Sequence, residues 1–166
     1  MLTSAGVGGR QAREVLGSGL AGVPVRTAAV HLYEVARVSA LAARPLVSAA
    51  GLDSACPGGV FIARRDLDGG WDLSVWGSAW IRHQITVRGF LPLVRTIGGF
   101  VESGAEIVSV VRERESYRLG LQRAGTWFDT LATVRLPTGP GRPWVLSGPT
   151  ATGWPPHCLR ARSEAG

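Results

Sequence analysis

The sequence predicts an α+β fold, with a short helical and winged segment followed by an antiparallel β-sheet domain. Three observations lead there. Apolar residues recur at helical spacing near the N-terminus. From residue 60 onward, short runs rich in β-branched and aromatic residues alternate with turn signals. Finally, 23 glycines and 10 prolines in 166 residues keep the elements short. A hydrophobic content of 45% with 18% charged residues suits one packed core and excludes a disordered chain.

Residues 1–9 are small and Gly-rich and predict a frayed end. Residues 10–16 form two helical turns with Val15 and Leu16 on one side and Arg10, Arg13 and Glu14 outward; Gly17 and Gly19 stop them. Pro24 then fixes an extended stretch in which Val25, Thr27 and Ala29 alternate with Arg26 and Ala28, as in a short hairpin. From Glu34, the positions Val35, Val38, Leu41 and Ala42 follow helical spacing until Pro45 ends the run. A single helix over 27–43, burying Val30, Leu32, Val35, Val38 and Leu41, is the alternative. The β-branched and aromatic density of 23–25 and 30–33 favours strands.

Residues 48–58, rich in Ala, Gly, Ser and Pro, read as a linker between a segment at 1–47 and a sheet domain at 59–149. Strands at 60–65 and 71–76 flank Asp68-Gly69-Gly70, residues that tolerate a hairpin turn. Residues 78–88 suit a helix through Trp80, Ile81 and Ile85, or a strand through Ile81, His83, Ile85 and Val87. The run 94–101 breaks at Gly98-Gly99. Runs at 107–112, 116–123 and 127–136 read as a meander with turns at Arg114-Glu115 and Ala124-Gly125. Residues 137–149 are too proline-rich for a central strand and read as an extended strap, pinned by Trp144. The tail from 150 to 166 is expected to be disordered.

All 18 basic residues are arginine, each a permanently charged planar fork suited to carboxylate or phosphate. The formal charge of +6 favours an acidic partner or solubility alone. Residues 1–50 hold five Arg against two Glu, whereas 51–136 hold ten Arg against nine acids, so a nucleic-acid footprint belongs near the ends.

The stretch from Arg10 to Arg44 resembles the latter half of a small winged helix-turn-helix of the excisionase and MerR-like type. The resemblance rests on Arg10 and Arg13 on a short helix, Gly22 to Arg26 in a wing, Tyr33-Glu34 at its closure, and Val38 and Leu41 behind it. It covers about a fifth of the chain, and the family's first helix has no counterpart in 1–9. It implies that Arg10, Arg13, Arg26 and Arg37 meet phosphates or base edges of double-stranded DNA. Tyr33, Val38 and Leu41 would support the wing. The plain alternative is an amphipathic helix pair with a solvated arginine face. A protein partner or a second copy of the chain is the other expected partner, docking on a sheet face rich in Trp and Val.

Other constellations are thin, and an enzymatic role is not favoured. The tryptophans at 71, 76 and 127 fall in expected strands, where core packing outranks base stacking. Asp66, Asp68 and Asp72 lack the bidentate Glu of a calcium loop. His83, Asp72 and Cys56 form no catalytic signature, and residues 94–99 could cradle an anion only through backbone amides. Cys56 and Cys158 are far apart, and His157-Cys158 is one dipeptide, so no metal and no cofactor are expected. No apolar run reaches the roughly 20 residues of a bilayer span, and no signal peptide is read at the N-terminus. A cytoplasmic protein without a membrane partner is expected.

Overall fold

The computed structural model describes residues 2–3, 6–64, 67, 69–137 and 143–147. In chain order the elements are α1 (Gly9–Gly17), β1 (Val25–Arg26), β2 (His31–Leu32), α2 (Val35–Ala42), α3 (Ala49–Ala55), β3 (Val60–Ala63), α4 (Val75–Arg88), β4 (Leu91–Ile97), β5 (Phe100–Glu113), β6 (Ser116–Arg123), α5 (Trp127–Ala132) and β7 (Trp144–Ser147). This is the α+β class, with a helical N-terminal segment ahead of a mostly antiparallel sheet. The sheet has five strands in the order β6-β5-β4-β3-β7. Among the described strands only β3 and β4 run parallel, and α4 supplies the crossover that a parallel pair requires.

All four residues of β3 are buried, and their alternation feeds both faces of the sheet. Phe61 and Ala63 join Trp71, Trp80, Ile81, Leu93 and Ile107 beneath α4. Phe61 meets Trp71 edge-on at 5.0 Å and stacks on Trp144 of β7 at 5.5 Å. Val60 and Ile62 join Leu52, Cys56, Val94, Val101, Leu131 and Leu136 beneath α3 and α5. Helices thus cover the sheet around β3 on both sides.

Several expectations for 60–149 are corrected. Residues 71–76 are not the return strand of a hairpin; Trp71 makes one isolated antiparallel bridge to Tyr117, and β3 pairs with β4 and β7. The ambiguous stretch 78–88 belongs to α4. Ser74 caps it by accepting the Gly77 N–H at 3.0 Å, and Gly89 at φ 85 closes it by donating to the Ile85 carbonyl at 2.7 Å. Within 48–58, Ser48 likewise accepts the Gly51 N–H at 3.1 Å and starts α3, whose Leu52 is buried. Residues 144–147 of the expected strap form an edge strand on β3, where missing proline donors are tolerated. Turns do fall at Gly98-Gly99 and Arg114-Glu115. The tail at 150–166, Asp66 and Asp68 lie outside the described residues.

The stretch 127–136 is α5 rather than a third meander strand, and Glu106 of β5 explains why. It is 7% exposed. It accepts hydrogen bonds from Gln122 Nε2 at 2.7 Å, Trp127 Nε1 at 2.8 Å and the Gly125 N–H at 2.9 Å. These anchors turn the chain back onto the sheet, where Phe128 fills the space a side chain at Gly104 would take. Burial pushes the Glu106 carboxyl up, but the bonds from Gln122, Trp127 and Gly125 outweigh it and hold it below the usual glutamate value. A lowered folded value means stability that is present above the unfolded pKa, about 4.3. That stability is lost as pH falls through the folded value. Glu106→Gln should therefore lower neutral-pH stability by about 2 kcal/mol and flatten the acid limb of the stability profile. Urea unfolding across a pH series reads both, and identical profiles for the two proteins would refute the assignment.

Candidate functional site

The segment expected to carry function folds as helix, ribbon, helix. Gln11 turns back to the Gly8 N–H at 3.4 Å at the start of α1. At the other end, Ser18 donates to the Val15 carbonyl at 2.8 Å, and Gly19 and Gly22 take positive φ to redirect the chain. The hairpin reading of 23–33 holds against the single-helix alternative. Val25 pairs with Leu32 and Arg26 with His31, and Thr27 closes the loop by bonding the backbone of Val30 through both its N–H (2.9 Å) and its hydroxyl (3.0 Å).

A third cluster seats this unit on the sheet. Ala12 and Val15 of α1, Ala21 in the turn after it and Leu41 of α2 are buried with Phe100 at the start of β5, and Tyr33 and Val38 pack against them half-buried. Tyr33 therefore sits where the ribbon meets α2, with Val38 and Leu41 behind. The Gly98-Gly99 turn between β4 and β5 is part of the seat, since a Cβ at Gly98 would stand 3.0 Å from Val15. The turn packs against Gln11 and Val15 of α1, and Arg95, on the same run, is ion-paired with Glu102.

The four arginines read as nucleic-acid contacts are all exposed, but they differ in freedom. Arg10 pairs with Glu14 one turn on at 3.1 Å and keeps 88% of its side chain exposed. Arg13 caps back weakly to the Gly9 carbonyl at 3.4 Å. Arg26 stands on β1 opposite His31. Arg37 is bonded to Glu34 at 2.8 Å and lies across Gly22, where a Cβ would come within 2.7 Å of its guanidinium. Arg37 thus braces the ribbon base. Exposed pairs of this kind contribute little to stability and leave the cations able to exchange partners. Arg44, the fifth arginine of the segment, is half-buried and donates to the Val101 carbonyl at 3.3 Å; burial lowers its pKa from the ordinary arginine value.

The ribbon has one feature that the sequence reading did not bring out. Cross-strand partners share a face, so Val25 and Leu32 point the same way, and alternation adds Val23 and Val30. Their exposures are 68%, 54%, 94% and 54%, so this face is apolar and uncovered. The alternation Val-x-Val before Arg26 and Val-x-Leu after Ala29 was the available signal.

Other residues singled out do not assemble. His83 and Asp72 are exposed, while Cys56 is buried in the cluster on the opposite side of the sheet from α4. Among the described residues no group of three or more His, Cys, Asp or Glu could hold a metal ion, and no helix is long and apolar enough to cross a membrane. His157, Cys158 and Trp154 lie outside the described residues. Trp76, expected in a strand core, is 57% exposed on α4. Helices cover the sheet around β3 on both sides, while Val111 of β5 and Leu121 of β6 stay exposed. Comparison with protein-family models, with curated proteins and with solved structures finds no match to the chain.

Because Leu41 ties α2 to Val15 and Phe100, Leu41→Ala should cost about 2–5 kcal/mol, whereas Arg10→Ala should leave the unfolding midpoint unchanged. Guanidinium unfolding of both variants measures the contrast.

Proposed function

We propose that the protein is a DNA-associated binding protein whose contact surface is the α1–β1–β2–α2 unit. One observation carries the reading: the chain between Gly22 and Tyr33 doubles back as a ribbon, bearing exposed Arg26, beside a helix bearing exposed Arg10 and Arg13. A short basic helix followed by a wing is the order that presents cations to a groove and to the flanking backbone. The guanidinium forks can pair with phosphate oxygens or with guanine O6 and N7, and Arg37, at the ribbon base, can reach a further phosphate. The unit's balance of five arginines against two glutamates supports modest, salt-dependent affinity.

Arg13→Ala combined with Arg26→Ala should abolish retardation of a generic duplex at low salt while leaving the circular dichroism spectrum intact. Each phosphate deprived of its arginine should reduce the slope of log affinity against log salt by about 0.9. Wild-type protein that shows no salt-sensitive binding to any duplex overturns the proposal.

A second reading is favoured by the apolar face of the ribbon, which a groove of phosphates does not explain. In it, Val23, Val25, Val30 and Leu32 pack against the same face of a second copy across a two-fold axis. The shared area is small, so the dimer is weak. Light scattering without nucleic acid should show concentration-dependent dimers that Val25→Asp plus Leu32→Asp abolishes; a monomer at every concentration rules this reading out.

A further inference from the structure

At the end of the sheet where β3 and β4 begin, a cavity of about 290 Å³ opens between α3, the end of α4 and the start of α5. Its walls are apolar: Ala55, Pro57, Phe90, Pro92 and the indole of Trp127, with the Cys56 thiol in the lining. One charged side chain, Arg88, completes it. We propose that this cavity is a binding site for a small aromatic or similarly flat apolar carboxylate, with Arg88 taking the carboxylate and Phe90 and Trp127 the apolar body.

Four observations carry the assignment. Arg88 makes no hydrogen bond and no ion pair among the described residues, unlike Arg10, Arg37, Arg95 and Arg118, each of which faces a glutamate. A planar fork without a protein partner at the edge of an apolar cavity is complementary to one carboxylate. Secondly, Arg88 lies at the cavity over Gly58, which adopts φ 88, with its guanidinium in the space a Cβ there would take. Thirdly, Trp127 is held before any ligand arrives, because its Nε1 donates to Glu106 at 2.8 Å and its ring meets Phe128 edge-on at 5.9 Å. A fixed indole face loses little freedom on stacking against a planar molecule. Fourthly, Cys56 is 2% exposed, and burial raises its thiol pKa against the opposing pull of Arg88. It stays a neutral thiol at neutral pH and adds no negative charge to the cavity. A phosphate fits this lining poorly, since a dianion asks for more than one cation and gains nothing from aromatic walls.

The test uses the whole chain with benzoate as probe, and benzyl alcohol and inorganic phosphate as comparators. Binding is followed through the indole N–H resonance of Trp127, assigned with Trp127→Phe. Benzoate should shift that resonance saturably, benzyl alcohol should bind at least tenfold more weakly, and phosphate should leave it in place. Arg88→Gln should weaken benzoate at least tenfold and benzyl alcohol hardly at all. Gly58→Ala, which crowds the guanidinium away, should reproduce the loss for benzoate; if its strained backbone prevents folding, Arg88→Gln decides alone. Equal binding of benzoate by wild type and Arg88→Gln overturns the proposal, as does phosphate binding at the same resonance or no benzoate binding at all. None of these results depends on whether the N-terminal unit holds DNA.

Discussion

The molecule is organised by the two-sided burial of β3. Residues Val60, Phe61, Ile62 and Ala63 are each at most 3% exposed, so both faces of the sheet must be roofed there. α4 roofs one and α3 with α5 the other, while β4 and β7 flank the strand. A strand so enclosed reads as a continuous apolar run rather than an alternating one, which is the mark of a strand in a parallel pair with a crossover helix. Away from the helices, the far part of β5 and β6 stays open, with Val111 53% exposed.

Two features lie around the sheet. The N-terminal ribbon extends from its third cluster with both strands exposed, held at its base by Tyr33, Leu41 and Phe100. Its two faces differ, one carrying Arg26 and His31 and the other Val25 and Leu32. An isolated two-stranded hairpin of this kind contributes little stability by itself. The cavity is the other feature, a recess between α3, the end of α4 and the start of α5.

Glu106 links that recess to the core. A buried carboxylate is tolerated only with its oxygens satisfied, and three donors from β6, from the loop before α5 and from α5 itself meet that demand. The same bonds fix the indole of Trp127, so one polar cluster both turns the chain into α5 and sets one wall of the cavity.

The local chain chemistry determined the N-terminal unit: Gly17 and Gly19 end α1, Pro24 and the β-branched residues around it extend the backbone, and Pro45 follows α2. These signals act within a few residues, and the hairpin at 25–32 follows from them. The β5–β6 hairpin and the turn at Gly98-Gly99 were legible for the same reason. Signals for α4 were also present, in Ser74 and Gly89, yet the Asp-Gly-Gly run and the tryptophans at 71 and 76 imitated a hairpin, because aromatic density marks buried strands and amphipathic helices alike. Only tertiary structure decided the rest. No local pattern joins Glu106 to Trp127 twenty-one residues later, pairs β3 in parallel with β4, or lays Arg88 over Gly58, because each depends on which distant surfaces come together when the sheet closes.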